Sequence, residues 1–319
     1  METKNHKEQI VEALGCWGVK SASIREDLTI LGSPDRTGIR AVIEAGDGQL
    51  FIIEQCVAGR EEHRRQIAEV LDELAGAGLT RMDPYLASTD GSFIPEIDGS
   101  CWQLRAFTPG IELPRPMYIY DKWRGKVAAG FLLELRDCGA SVAMTQDGSV
   151  FSLLDFNDKF LTRLYRHKPE FKEILSDILE PLQERFVPAY DRLPVAFCHG
   201  DYHPMNIVWG ENDINSVIDW EFCGLKPELY DVALLTGCMG MENPECLTGG
   251  MVKEYLSVLR RSGFGQDVSW EHFRDLMVAI RLAWLKEWFR HDRQKMIELE
   301  VVYMRLLLNE TRLNKHLVV

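Results

Sequence analysis

The apolar positions change their period several times along the first third of the chain. Within residues 8–14, Ile10, Val11 and Leu14 recur at helical spacing and Gly15 stops the run, so a short amphipathic helix is expected there. From residue 23 the pattern breaks into short apolar stretches, 23–31, 39–45 and 49–56, separated by turn-forming runs at 32–38 and 45–48. Three antiparallel strands follow from it. Residues 61–77 return to helical spacing, with Ile67, Val70, Leu71 and Leu74 on the buried face and Gly76 and Gly78 at the end. A further hairpin, 93–95 with 101–107 around Asp98-Gly99, is broken by Thr108-Pro109-Gly110.

Beyond residue 118 helical periodicity dominates. Residues 122–138 would bury Val127, Phe131, Leu132 and Leu135, and residues 171–186 would bury Ile174, Ile178 and Leu182. Helices are also expected over 251–261, 270–290 and 294–313, with Trp284, Trp288 and Phe289 at helical spacing and therefore in the core. One stretch interrupts this regime. Residues 207–209 and 216–220 read as two strands, and the Gly, Asn and Asp residues of 210–215 suit a hairpin turn. The fold class is α+β, with a mostly β part over 1–107, a hinge at 108–110 and a mainly helical part over 111–319.

That interruption carries the candidate chemistry. The run HGDYHPMNIVWGENDINSVIDWE, 199–221, places Asp201 and Asn206 on the loop entering the hairpin and Asp219 near the end of its second strand. Phosphoryl transfer needs one carboxylate to orient a hydroxyl nucleophile and separate oxygen ligands for magnesium on the nucleotide phosphates, and this set supplies both. His199, Asp201 and Asn206 keep the intervals of the protein-kinase catalytic loop. The rival reading takes His199, Asp201, His203 and Asp219 as ligands of zinc or of a two-metal hydrolase centre. Pro204 after His203, the amide of Asn206 and the lack of any H-E-x-x-H or C-x-x-C spacing oppose it.

On these residues the chain resembles the aminoglycoside phosphotransferase and choline kinase superfamily, relatives of protein kinases whose signature runs H-G-D-x-x-x-x-N and then I-D-[WF]-[ED]. The resemblance implies a protein-kinase-like fold of two lobes and an ATP- and Mg2+-dependent kinase acting on a hydroxyl of a small molecule: an aminoglycoside, an amino alcohol such as homoserine or choline, or a sugar. Asp201 would be the catalytic base, His199 would fix its loop, Asn206 and Asp219 would hold the metal, and Asp231 in P-E-L-Y-D-V-A would brace the loop. Glu221 is a possible supporting or substrate-contacting group. Backbone at Phe107 and Thr108 would meet the adenine. Gly32 and Gly38 would bracket a loop over the phosphates, although by residue type alone that loop is equally an ordinary hairpin connection.

The N-terminal part departs from the family. Its third strand reads L-F-I-I-E-Q, with Glu54 or Gln55 where a phosphate-contacting Lys belongs, and Ile67 falls near the position of the Lys's partner Glu. The homoserine kinase type II and N-acetylhexosamine kinase branches show a similar strand. Arg60, Arg64 or Arg65 is expected to replace the missing cation. The alternative is a kinase-like protein of weak or no catalysis with a binding or structural role.

Composition narrows the partners. The 46% hydrophobic and 27% charged content of the 319 residues describes an ordinary globular chain, and a net charge of -13 argues against a nucleic-acid partner. Eight cysteines without C-x-x-C spacing suggest free thiols. A charged, helical beginning and no long apolar run lead us to expect a cytoplasmic protein with no membrane partner. No P-loop or G-x-G-x-x-G sequence occurs, and the oligomeric state has no signature.

Overall fold

A computed structural model describes residues 6–20, 22–32, 37–142 and 150–309. By packing, the chain divides into two compact units: residues 1–112, 141–143 and 205–222 form the first, and 113–140, 144–204 and 223–319 the second. The hairpin after Asn206 therefore packs with the N-terminal unit, whereas its place in the sequence had assigned it to the helical part. The last part of the helix expected over 294–313 falls on residues outside those described.

The first unit is built on a five-stranded antiparallel sheet, ordered β1-β2-β3-β5-β4. Its strands are β1 (Ala22–Ile24), β2 (Thr37–Ala45), β3 (Leu50–Cys56), β4 (Glu96–Ile97) and β5 (Ser100–Ala106). Strand β1 is much shorter than expected because Arg25 turns to bond Asp27 and Glu44 and the chain bends at Leu28. Helix α1 (His6–Leu14) lays Ile10, Ala13 and Leu14 on Ile39, Ile43, Ile53, Trp102 and Leu104, one face of the sheet. Alternation along the strands sends the remaining side chains to the other face, where the register puts Arg40 opposite Glu54 and Glu54 opposite Gln103. Helix α2 (Glu61–Gly76) buries Arg64, Ile67, Ala68, Val70, Leu71 and Leu74. The unit is completed by the hairpin of β7 (Ile207–Trp209) and β8 (Ile214–Val217). Its turn is tied to the segment after β5: Asn215 donates to the Pro109 carbonyl at 2.8 Å and the Ile111 N–H to Trp209 at 2.7 Å.

The second unit is helical around a two-stranded ribbon of β6 (Val195–Cys198) and β9 (Gly224–Pro227), a pairing the sequence pattern did not announce. Helix α3 (Lys122–Gly139) is followed by α4 (Leu153–His167), whose N-terminus Ser152 caps by accepting from the Asp155 N–H. The expected single helix over 171–186 is instead broken into α5 (Phe171–Ile174), α6 (Ser176–Pro181), a π-turn and α7 (Val187–Tyr190). Ser176 bonding back to the Glu173 carbonyl, together with Pro181 and Pro188, accounts for the breaks. Helices α8 (Tyr230–Glu242), α9 (Gly250–Arg261), α10 (Asp267–Glu271), α11 (Phe273–Arg290) and α12 (Gln294–Asn309) follow. Gly125 in α3 lets α9 approach closely, since a Cβ there would lie 2.2 Å from the Met251 carbonyl oxygen. Among the described residues no helix is long and apolar enough to cross a membrane.

Candidate active site

The two groups of residues singled out above fall in different units. In the second unit, β6 delivers the chain to His199, Gly200 and Asp201. Gly200 adopts φ 82°, a conformation open to glycine at no steric cost, and so turns the chain sharply after the strand. Both carboxylate oxygens of Asp231, at the first turn of α8, accept backbone N–H groups from this turn: His199 at 2.6 Å and Gly200 at 2.8 Å. His199 is fully buried, and its Nδ1 accepts the Asp201 N–H at 3.2 Å. Tyr202 stacks on Phe131 and donates its hydroxyl to the Ala128 carbonyl of α3. The backbone under Asp201 is thus fixed on three sides while its carboxylate stays partly exposed, with His203 Nε2 at 3.7 Å.

Asp231 holds its charge against its surroundings. Burial pushes its carboxyl up to about 6, opposed by the two backbone N–H bonds and by Lys226. His203 packs edge-on against Trp284, and Trp284 lies beside Trp288, whose indole N–H donates to Glu300. Trp284, Trp288 and Phe289 are half-buried, which corrects the expectation that they are core. Their spacing follows the helix, but α11 is covered all round only over its earlier turns, where Phe273, Leu276, Met277 and Ile280 are buried.

In the first unit, Asn206 immediately precedes β7 and Asp219 follows β8 by two residues. The Ile218 N–H donates to the Asn206 carbonyl at 3.0 Å and joins the two strand ends. Asp219 has φ 66°, a left-handed conformation that aspartate tolerates better than most residues, and it lines a small open cavity. An amide oxygen and a carboxylate at adjacent strand ends are hard donors suited to magnesium. Among the described residues no three His, Cys, Asp or Glu side chains gather as a metal-holding group.

The cavity is lined by the polar face of the sheet, by α2 and by residues 217–221. Glu54 points into it. Arg40 Nε lies 2.7 Å from Glu54 Oε1, and Tyr85 donates to the same carboxylate at 3.4 Å. Burial opposes the charge on Glu54, yet Arg105, Arg40 and Arg64 hold its carboxyl below the usual range. Arg64 Nη2 meets Glu221 Oε1 at 2.9 Å, Arg105 faces Asp83 at 4.0 Å, and both Arg64 and Arg105 line the same cavity. The His63 ring nitrogen bonds the Glu221 carbonyl at 3.1 Å, a second tie between α2 and the segment after Asp219.

Of the residues proposed from sequence to meet a nucleotide, Gly32 and Arg64 line this cavity. Gly32 has φ 94° beside Ile218 and the Arg40 guanidinium. Gly38 has another role: a Cβ there would meet the Gln55 side chain at 2.6 Å. Arg60 is half-exposed and stands 3.6 Å from Glu221, while Arg65 pairs with Glu62 on the helix surface. The Phe107 N–H is taken by the Leu50 carbonyl, and the Thr108 hydroxyl donates to Asp83 at 2.7 Å. The loop residues 33–36 lie outside the described residues. Arg40, Tyr85, Asp83 and Arg105 were missed. For Arg40 a signal existed, because pairing residues 44 and 50 across the tight turn at 45–49 sets it opposite Glu54.

The sequence model of the phosphotransferase enzyme family matches residues 44–262, more than half of the chain. The chain belongs to this family. An amicoumacin kinase solved with AMP-PNP, Ca2+ and amicoumacin superposes with a TM-score of 0.67 at 11% identity, over 97% of this chain and 95% of that one. The GDP complex of aminoglycoside 2'-phosphotransferase-IIIa gives 0.65 at 17% identity, over 98% and 100%. A choline/ethanolamine kinase family protein from Mesorhizobium loti gives 0.59 at 14%, over 98% of both. At these identities the likeness is one of fold, and that fold is the protein-kinase-like one of the aminoglycoside kinases. No curated protein matches the sequence.

Proposed function

We propose that the protein is an ATP- and magnesium-dependent kinase that transfers a phosphoryl group to a hydroxyl of a small molecule. The observation that carries this reading is the pairing of Asn206 and Asp219 at joined strand ends, with Asp219 on a cavity whose walls hold three arginines. Asp201 orients the acceptor hydroxyl and takes its proton as the new P–O bond forms and the bond from the γ-phosphorus to the β–γ bridging oxygen breaks, releasing ADP. His199 and Asp231 keep the Asp201 backbone in place. Bound magnesium would neutralise charge on the phosphate oxygens, held by Asn206 and Asp219. Membership of the phosphotransferase family and the nucleotide complexes of proteins with the same fold support a purine nucleotide as the donor, and the AMP-PNP complex favours ATP, although the GDP complex shows that this fold also takes guanine nucleotides.

One feature favours a second reading. By the resemblance a lysine is due at Glu54 or Gln55, and neither is a cation, so a kinase-like protein of weak or no catalysis, with a binding role, is the rival. A screen of magnesium-ATP consumption over amino alcohols, sugars and aminoglycosides separates the two. Turnover with one acceptor class establishes the kinase. Nucleotide binding with no transfer to any acceptor selects the rival.

A further inference from the structure

The polar face of the sheet raises a specific question, which is what takes the place of the lysine that β3 lacks. Of Glu54 and Gln55, the two residues at the expected lysine position, Glu54 is the one that lines the cavity, with its cross-strand neighbour Arg40. The Arg40 side chain is 14% exposed and that of Glu54 6%. Arg40 makes two contacts of opposite consequence. Its Nε lies against Glu54, and its Nη2 donates to the Leu31 carbonyl at 2.8 Å, next to Gly32 at the rim of the cavity. A guanidinium carries five N–H donors in a rigid fork. The Leu31 bond uses one of them, while the Nε contact with Glu54 is an ion pair whose geometry falls short of a hydrogen bond.

Arg64 is the other candidate among the cavity cations, but its surroundings differ. It is carried by α2, donates to the Tyr85 hydroxyl at 3.3 Å, and lies 2.9 Å from Glu221, two residues beyond Asp219. That pair ties helix to hairpin. Arg105, on the next row of the sheet, faces Asp83. The cavity is lined by Arg40, Arg64 and Arg105 against Glu54, Asp83, Asp219 and Glu221, an excess of one negative charge. A lysine, its helix glutamate and a metal-binding aspartate would leave the same excess. The electrostatic balance of the kinase site survives with its charges redistributed among different strands.

We propose that Arg40 on β2 is the cation that receives the nucleotide's phosphates, and that Glu54 is its positioning residue, set where a kinase of this fold carries lysine. The assignment rests on the nucleotide reading above. Arginine suits the role because its planar fork can engage two phosphate oxygens at once. Glu54 then has the task of the usual helix glutamate, holding the cation's charge and direction, from the strand instead of the helix.

Binding of Mg-ATP, Mg-ADP and adenosine to the full chain, followed by calorimetry, tests it. Arg40→Ala should weaken ATP and ADP by about ten- to hundredfold, the worth of one or two charge-assisted hydrogen bonds, and leave adenosine unchanged. Arg40→Lys should recover part of the loss. Glu54→Gln should weaken ATP several-fold, and Arg40→Gln with Glu54→Gln should bind no worse than Arg40→Gln alone, since a positioning residue has nothing left to position. The double variant strands no buried charge, so it reports even where Arg40→Ala fails to fold. Wild-type affinity for ATP in the Arg40→Gln, Glu54→Gln protein, or tighter binding by Glu54→Gln, overturns the assignment alone. A wild-type protein that binds neither ATP nor ADP overturns the nucleotide reading and the assignment with it.

Discussion

The Asp201 loop and the arginine-lined cavity solve the same problem, holding charged groups in place, by opposite means. The loop is braced mainly by backbone: two N–H groups on one buried carboxylate, a third on the His199 ring, and Tyr202 anchored to α3. Its partners are specified by a few residues at fixed spacing. The cavity is braced by side chains from six separate segments, β2, β3, α2, the stretch at Asp83, β5 and the stretch after β8, that meet only when the first unit folds. A short motif can encode the first arrangement. The second has as many solutions as there are ways to balance three cations against four anions, and this chain uses an unusual one.

The comparison is broken most directly at Asp201. Asp201→Asn should lower phosphoryl transfer by ~10²–10⁴-fold, the usual loss for a general base, because the amide cannot accept the proton. Nucleotide affinity and melting temperature should stay near wild type, since Asn keeps the shape of the partly exposed side chain. Steady-state kinetics beside a thermal melt measures both. Near wild-type turnover removes Asp201 from its role.

The cavity should respond in stability as well as activity. Arg64 and Glu221 are both buried, so Glu221→Gln leaves a guanidinium in the interior without its 2.9 Å counter-charge. Removing one partner of such a pair costs about 3–5 kcal/mol, and the remaining carboxylates of the cavity place this case at the lower end. Arg60 contacts the same carboxylate from a half-exposed position, and Arg60→Ala should cost less than ~1 kcal/mol. Urea denaturation of the two variants decides it: equal losses would mean that the Arg64 pair is no better shielded than the Arg60 contact.

Asp219 and Asn206 provide a finer contrast within one hairpin. Asp219→Ala should weaken magnesium-dependent ATP binding more than Asn206→Ala, because a carboxylate neutralises metal charge and an amide does not. Titrating each variant with ATP over a range of magnesium concentrations gives the order. Equal effects would place the metal on other ligands.

How much of this was legible follows the same division. The hairpin of β7 and β8 and the antiparallel strands β2 and β3 were readable because period, turn residues and motif spacing are local properties of the chain, although β8 runs over Ile214–Val217 and not over 216–220. Ribbon β6–β9 was not, since its strands are separated by the whole hairpin and each is only four residues long. The cavity was half legible. Glu54 announced that the lysine was missing, but alternation along β2 and β3 normally means that the polar face meets water, and here α2 and residues 217–221 cover it. Attention to cations near α2 found Arg64 and passed over Arg40, which hairpin register alone would have placed opposite Glu54. Glu54 faces the cavity with Arg40 at 2.7 Å, so its charge is offset by a cation that the sequence reading had not paired with it.

The smallest effect expected concerns the brace itself, and it separates stability from activity by sign. The Asp231 carboxyl in the folded protein lies near 6, above its ordinary value of 3.8, because burial disfavours the charge. Between those two values the folded state binds the extra proton, so this group contributes stability at low pH that is lost as pH rises through about 6. The His199 and Gly200 N–H groups, by contrast, need two accepting oxygens, and a protonated carboxyl offers one fewer. Lowering the pH from 7 to 5 should therefore favour the fold at this site while loosening the loop under Asp201. If only the ionised form holds the loop, kcat/KM falls by about half at pH 6 and about tenfold at pH 5. Asp231→Asn should show a lower plateau with no inflection near 6, because its amide keeps one oxygen at every pH. An unchanged inflection in that variant would assign the pH dependence to another group and leave Asp231 as a packing residue with no hold on catalysis.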